Sequence, residues 1–215
     1  MLPPVGRRRT PADRGETLLH PRLLGIGDSL VAGHPACFSR LESGTRPGPN
    51  LTQAAARRKH WTWLNQGIGS QTTTQIAARF TVHVINLGPQ VALINGGIND
   101  IAGGSQSTFI NNWTAMLDAC QTAGIRAVAL LILPWTNGTN TQLQTRDTWN
   151  AALVSLVGGY PGFLSVDASS LVGKFRAGGD VNNLWDIQPA FAAGDGVHFN
   201  PAGYDLIGAA IAAGL

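Results

Sequence analysis

Ser29, in GDSLVAGH (27–34), and the pair Asp195 and His198, in DGVHFN (195–200), are the residue types from which a nucleophile, a base and an orienting acid are assembled. An isolated serine hydroxyl attacks poorly at neutral pH, so Ser29 becomes a nucleophile only if the chain also supplies a base and oxyanion donors. Without them the same serine is the N-cap of the helix that comes next. A carboxylate three residues before an imidazole can, in a tight turn, accept from one ring nitrogen while the other points away, which is what a general base needs. A surface histidine beside an acid has the same spacing. Asn200 and Pro201 read as N-cap and first residue of a closing helix, which would fix the turn carrying His198.

Asn99, in GGIND (96–100), adds an uncharged amide donor of the kind that stabilises an oxyanion, and Gly96 and Gly97 before it allow close backbone approach. An ordinary Asn-Asp turn accounts for the same residues. Asp100 reads as a cap of the next segment or as the group that orients Asn99. Among the other histidines, His20 lies near the amino terminus, His60 ends a basic helix and His83 falls within a helix. His34 comes five residues after Ser29 but has no acid at a useful spacing, so His198 is the leading base.

These residues are positioned by an alternation of apolar runs and helical patterns. Strands are expected at 22–27, 61–66, 90–96, 126–134 and 163–168, with helices near 51–60, 72–87, 106–123, 141–157 and 201–213. The alternation implies right-handed crossovers and a parallel sheet with helices on both faces, a three-layer α/β/α domain over 22–215. In such a sheet, ligands bind outside the carboxyl ends of the strands. GDS (27–29), NQGIGSQT (65–72) and GGIND (96–100) come directly after strands one, two and three, and DGVHFN closes the long irregular stretch 175–196 after strand five. Four polar clusters therefore meet at one edge.

Composition narrows the partners. The chain has 215 residues, 44% of them hydrophobic and 13% charged, which excludes a disordered chain. Its +3 formal charge comes from the first 22 residues, where five arginines face Asp13 and Glu16; from Leu23 onward there are ten basic and ten acidic residues. Residues 1–21 thus read as a basic, solvated tail, and nucleic acid is not an expected partner. The tail lacks the apolar core of a secretory signal, and no apolar stretch reaches membrane-spanning length, so no membrane association and a cytoplasmic location are the default expectations. Cys37 and Cys120 have no metal-ligand spacing and read as small apolar groups. There is no HExxH, Walker A lysine or GxSxG elbow, so no metal and no cofactor is demanded.

GDSL (27–30), NQGIGSQT (65–72), GIND (97–100) and DGVH (195–198) resemble, in order and interval, the sequence blocks of the SGNH or GDSL hydrolase family over residues 22–213. The resemblance implies a flavodoxin-like five-stranded sheet, Ser29 as nucleophile, His198 as base and Asp195 as its orienting acid. It also implies an oxyanion hole made of the Ser29 N–H, a backbone N–H of the second block and the Asn99 side chain. Aligning Asn65, Gly67 and Thr72 with the family's N-x-G-x-x-G-x-T puts Ser70 where the donor glycine normally stands; if φ there is positive, Gly69 is the alternate.

The activity this implies is hydrolysis of small-molecule carboxylic esters, acetyl to butyryl, since little chain is left for an apolar lid. A carbohydrate O-acetyl esterase and a thioesterase or lysophospholipase are variants of the same chemistry, and an idle α/β binding module is the non-enzymatic alternative. Trp135, Trp185 and Phe191 are candidates for the pocket wall, whereas Trp61 and Trp63, on one strand face, read as core.

Overall fold

The computed structural model describes residues 21–34, 50–176 and 184–215. The basic tail, Cys37 and most of the Gly/Pro-rich loop 42–50 lie outside the described residues. Five parallel strands, β1 (Leu23–Gly27), β2 (Trp63–Gly67), β3 (Val91–Asn95), β4 (Arg126–Leu130) and β5 (Leu164–Val166), form a sheet in the order β2-β1-β3-β4-β5. This is the flavodoxin-like order, and the chain reverses direction across the sheet between β1 and β3. The register runs Leu23 opposite both Trp63 and Val91, and Val91 opposite Arg126, so the carboxyl ends of the strands align along one edge.

Strand alternation divides the core in two. Leu24, Ile26, Ala92, Ile94, Ala127 and Ala129 face α3 (Thr73–Ala78), α4 (Phe80–His83), α5 (Gln106–Thr122) and α6 (Asn140–Gly158). Leu23, Val91, Leu93, Val128, Leu130 and Val166 face α2 (Leu51–Lys59) and α8 (Pro201–Gly214). The helices read accordingly. Phe109, Trp113, Met116, Leu117 and Cys120 make the buried stripe of α5, and Tyr204, Ile207 and Ile211 that of α8. Burying each large aliphatic side chain contributes about 1.5–3 kcal/mol. Arg58 of α2 donates to both carboxylate oxygens of Asp205 of α8, at 2.8 and 2.7 Å.

The helix expected over 72–87 is broken. It comprises α3, α4 and a 3-10 turn at Ile85–Leu87, with the interruption at Arg79 (φ −105°, ψ 2°). The stretch 175–196 is not wholly irregular, because β6 (Gly173–Phe175) and β7 (Trp185–Ile187) pair antiparallel after α7 (Ser169–Val172). The ladder of β4 ends at Leu130 rather than 134. Trp63, on β2, and Trp61, just before it, are both half-buried against the α2/α8 side of the core, and Trp61 also carries the Arg22 guanidinium over its ring at 4.6 Å. None of the described helices is long and apolar enough to cross a membrane.

Candidate active site

Ser29 is the first residue of α1 (Ser29–Ala32), at the carboxyl end of β1. Its cap is Asp28, whose Oδ1 accepts from the Leu30 N–H at 2.9 Å, so the capping role belongs to the acid and leaves the Ser29 hydroxyl disengaged from the helix end. Asn65 of β2 holds this short helix in place by donating from Nδ2 to the Val31 carbonyl at 2.9 Å. Gly67 is required beside it, because a Cβ there would stand 2.2 Å from the Ala32 nitrogen.

The imidazole arrives from the other end of the chain. His198 Nε2 is 2.8 Å from Ser29 Oγ, and Nδ1 is 2.6 Å from Asp195 Oδ2. Asp195 Oδ1 accepts the N–H groups of Val197 and His198 at 2.9 and 2.8 Å. Partial burial pushes the Asp195 carboxyl up, but those two backbone donors and the imidazole outweigh it and hold the group at about 2. An ionised carboxylate only accepts, so Nδ1 carries the proton; Nε2 is then free to accept from the Ser29 hydroxyl. The Ala192–Phe199 bridge and the Ala193 N–H to His198 carbonyl bond (2.9 Å) close this turn, and the Asn200 side chain caps α8 by accepting from Gly203 N at 3.0 Å.

Asn137, which sequence reasoning misses, supports the same turn. Its Nδ2 donates to the Asp195 carbonyl at 2.7 Å, and the Thr136 N–H donates to the Gly196 carbonyl at 2.7 Å. Gly196 has φ 77°, and a Cβ on it would sit 2.2 Å from Asn137 Oδ1. Arg176, beside β6, secures the other side of this loop by donating to the Thr136 and Gly138 carbonyls and to Asp186 at 2.7–2.9 Å. The only sequence signal is position: Thr136 and Asn137 come after strand four at the same sheet edge.

Around Ser29 the second and third blocks also converge. Gly69 lies so close that a Cβ on it would be 3.9 Å from the Ser29 Cβ. Ser70 has φ 61°, the left-handed conformation that glycine adopts without penalty. Asn99 donates one amide hydrogen to the Gln71 carbonyl at 2.9 Å, which leaves the second hydrogen available. Asp100 accepts from the Thr73 backbone N–H at 2.9 Å and the Thr73 hydroxyl at 2.7 Å, so it ties the β3 loop to the start of the preceding helix α3 rather than capping the next segment. Asp28, fully buried and with no partner for Oδ2 among the described residues, has its carboxyl raised to about 7, by burial first and by the Asp100 charge second.

The expected pocket wall is not gathered in the same way. Trp135 is 6% exposed within the α5/α6 side of the core, its indole against Gly138, so its ring belongs to the interior. Trp185 packs at a tilt against Phe175, with ring centroids 4.4 Å apart, and lines a cavity of about 240 Å³ with Arg146, Asn150 and Asp167. Phe191 is half-buried in the 3-10 turn Pro189–Phe191, against the α2/α8 side. His34 does reach the site, with its ring 4.3 Å from that of His198. His34, Asp195 and His198 have donor atoms within 4.8 Å of one another, but there Asp195 and His198 are already engaged with each other and with Ser29. Cys120 is buried in the core, and burial raises its thiol to about 12.

Residues 26–206 match the GDSL-like lipase/acylhydrolase family, and the chain belongs to it. It is accordingly a carboxylic-ester hydrolase. Among solved structures it resembles a lipolytic protein of the G-D-S-L family from Desulfitobacterium hafniense, at 21% identity and TM-score 0.70, covering 90% of this chain and 98% of that one. A GDSL-like lipase from Bacteroides thetaiotaomicron is 20% identical with TM-score 0.67, over 88% and 85% of the two chains. An acetylxylan esterase from Geobacillus stearothermophilus is 17% identical with TM-score 0.69, over 90% and 93%. At these identities the likeness is one of fold. No curated protein matches the chain by sequence.

Proposed function

We propose that the chain hydrolyses short-chain carboxylic esters, acetyl to butyryl, through an acyl-enzyme on Ser29. Ser29 Oγ attacks the carbonyl carbon while His198 Nε2 takes the hydroxyl proton. The ester C–O bond then breaks as the same proton passes to the departing alcohol. Water, deprotonated by His198, attacks the acyl carbon and releases Ser29. Asp195 orients the imidazole and stabilises its charged form. The oxyanion is held by the Ser29 N–H, the Asn99 amide and the N–H of Ser70, with Gly69 as alternate.

The single observation that carries this reading is the unbroken chain from Asp195 Oδ2 through the imidazole to Ser29 Oγ, at 2.6 and 2.8 Å. Preference for short acyl groups rests on the use of the helices. α2, α5, α6 and α8 all bury their apolar faces on the sheet, which leaves none of them for a lid. A carbohydrate O-acetyl ester is the second reading. It is favoured by a cavity of about 300 Å³ beside the Asp195 turn, where Thr136, Asn137, Lys174 and Asp186 offer polar groups alongside the apolar Ile187, Pro189 and Ala192.

The test is an aryl-ester series from acetate to decanoate, run beside acetylated xylo-oligosaccharides and the Ser29→Ala variant. Fastest turnover on acetate to butyrate, absent in Ser29→Ala, supports the first reading, and higher kcat/KM on the acetylated sugar supports the second. A folded protein inert to every ester and to a fluorophosphonate overturns both and favours a binding module.

A further inference from the structure

Arg79 is a cation that the proposed ester chemistry does not use, yet its side chain reaches the site from two directions. It sits at the break between α3 and α4, half-buried. Its Nε donates to Gln71 Oε1 at 2.7 Å, and its Nη2 donates to the Gly27 carbonyl at 3.0 Å. Gly27 is the last residue of β1, two before Ser29, and its carbonyl also accepts the Ile68 N–H at 2.9 Å. Gln71, whose side chain Arg79 holds, presents its backbone carbonyl to the Asn99 amide at 2.9 Å. One guanidinium therefore spans the backbone that carries Ser29 and the 68–72 loop, and through that loop it reaches Asn99.

We propose that Arg79 is a positioning residue for the oxyanion hole: it fixes the Gly69–Ser70 peptides and the Asn99 amide relative to Ser29. The proposal rests on the ester-hydrolase reading for its kinetic consequence, but not for its structural one. A planar guanidinium is suited to the task, because its Nε and Nη2 hydrogens are held in a fixed fork and can lock two acceptors at a set separation. A lysine ammonium has the charge without that fork. Oxyanion donors act only when aimed to within a few tenths of an ångström of where charge develops, so a loosened 68–72 loop costs rate rather than binding.

The experiment combines a mutant cycle with hydrogen exchange on the full chain. Arg79→Ala is expected to lower kcat by about 10- to 100-fold with KM within about threefold, and Arg79→Lys to recover only part of it. In the Asn99→Ala background the same substitution is expected to cost clearly less than in the parent, since one of the donors it positions is already gone. Guanidinium ion at millimolar concentration is expected to restore part of the Arg79→Ala rate. Amide exchange over 68–72 is expected to quicken in Arg79→Ala while α5 and α6 keep their protection. Full additivity with Asn99→Ala overturns the proposal, as does unchanged exchange over 68–72. Wild-type protein without ester turnover would defeat the hydrolase reading, and exchange would still decide the brace.

Discussion

His198 Nε2 and Ser29 Oγ lie 2.8 Å apart although they stand 169 positions apart in the chain. The contact exists because β1 delivers Ser29 at the sheet's carboxyl edge and α8, packed against α2, begins at that edge immediately after the His198 turn. Asp195 completes the arrangement, but more of its grip is on backbone than on the ring, since Oδ1 accepts two N–H groups and Oδ2 one imidazole nitrogen. Asp195→Asn is therefore expected to keep the turn while presenting an amide that can offer the imidazole the wrong hydrogen-bond partner. A kcat loss of about 10³-fold or more, with KM nearly unchanged, is expected in steady-state kinetics. Because the Asp195 carboxyl is held at about 2, the parent enzyme should show no loss of activity from this group anywhere above about pH 4.

Asn99 is exposed, and its side chain is tied to the Gln71 carbonyl rather than to the interior, so it contributes little to the core. Asn99→Ala is expected to reduce kcat about 10²-fold with KM and Tm close to the parent. Asn99→Asp is expected to be worse than alanine, because a carboxylate faces the developing oxyanion with like charge. Initial rates alongside thermal melts would check both, and an alanine variant with unaltered kcat would remove Asn99 from the oxyanion hole.

How much of this is legible in the residues differs from element to element. The five strands and the order of the four polar clusters are legible, because burial on both faces makes the inner strands β1, β3 and β4 largely apolar and a parallel sheet delivers the loops after its strands to one edge. The break at Arg79 is not, since Ile76, Phe80 and Val84 keep helical spacing straight through it and all three are buried. The β6/β7 hairpin has strands of three residues each, too short for alternation to register. Trp135 belongs to the interior rather than the pocket because proximity to a strand end does not reveal which way a ring turns. Asn137, Arg79 and Arg176 act through bonds to residues 8 to 58 positions away, and spacing carries no trace of such contacts.

Ser70 illustrates a question that sequence raises and backbone geometry answers. At φ 61° its Cβ is crowded against its own carbonyl, a strain of about 1 kcal/mol that glycine escapes. Ser70→Gly is expected to raise stability by a few tenths to about 1 kcal/mol, the gain being reduced by the greater freedom of glycine in the unfolded chain. Turnover should stay within about threefold of the parent, as the backbone N–H is unchanged. Denaturant titration and steady-state rates would measure the two effects; a variant less stable than the parent would show that the serine side chain contributes more than its backbone costs.

Asp28 should make stability fall as pH rises. Its folded value, about 7, lies above the 3.8 of an unperturbed carboxyl, with burial as the main cause and the Asp100 charge adding to it. The folded state thus holds this proton where the unfolded state has lost it. The associated stability is complete below pH 3.8 and declines through the window up to about pH 7, by about 4 kcal/mol at most. Asp28→Asn keeps an oxygen to accept from the Leu30 N–H and cannot ionise, at the cost of an amide donor where Oδ2 has no partner among the described residues. Melts of parent and variant at about pH 5 and pH 8 would isolate the effect, because titrating groups that do not interact with Asp28 cancel in the difference. The variant is expected to be no more stable than the parent at the lower pH and to gain on it by several degrees at the higher. A difference in Tm that does not change with pH would mean that Asp28 is ionised throughout, its charge balanced within the fold.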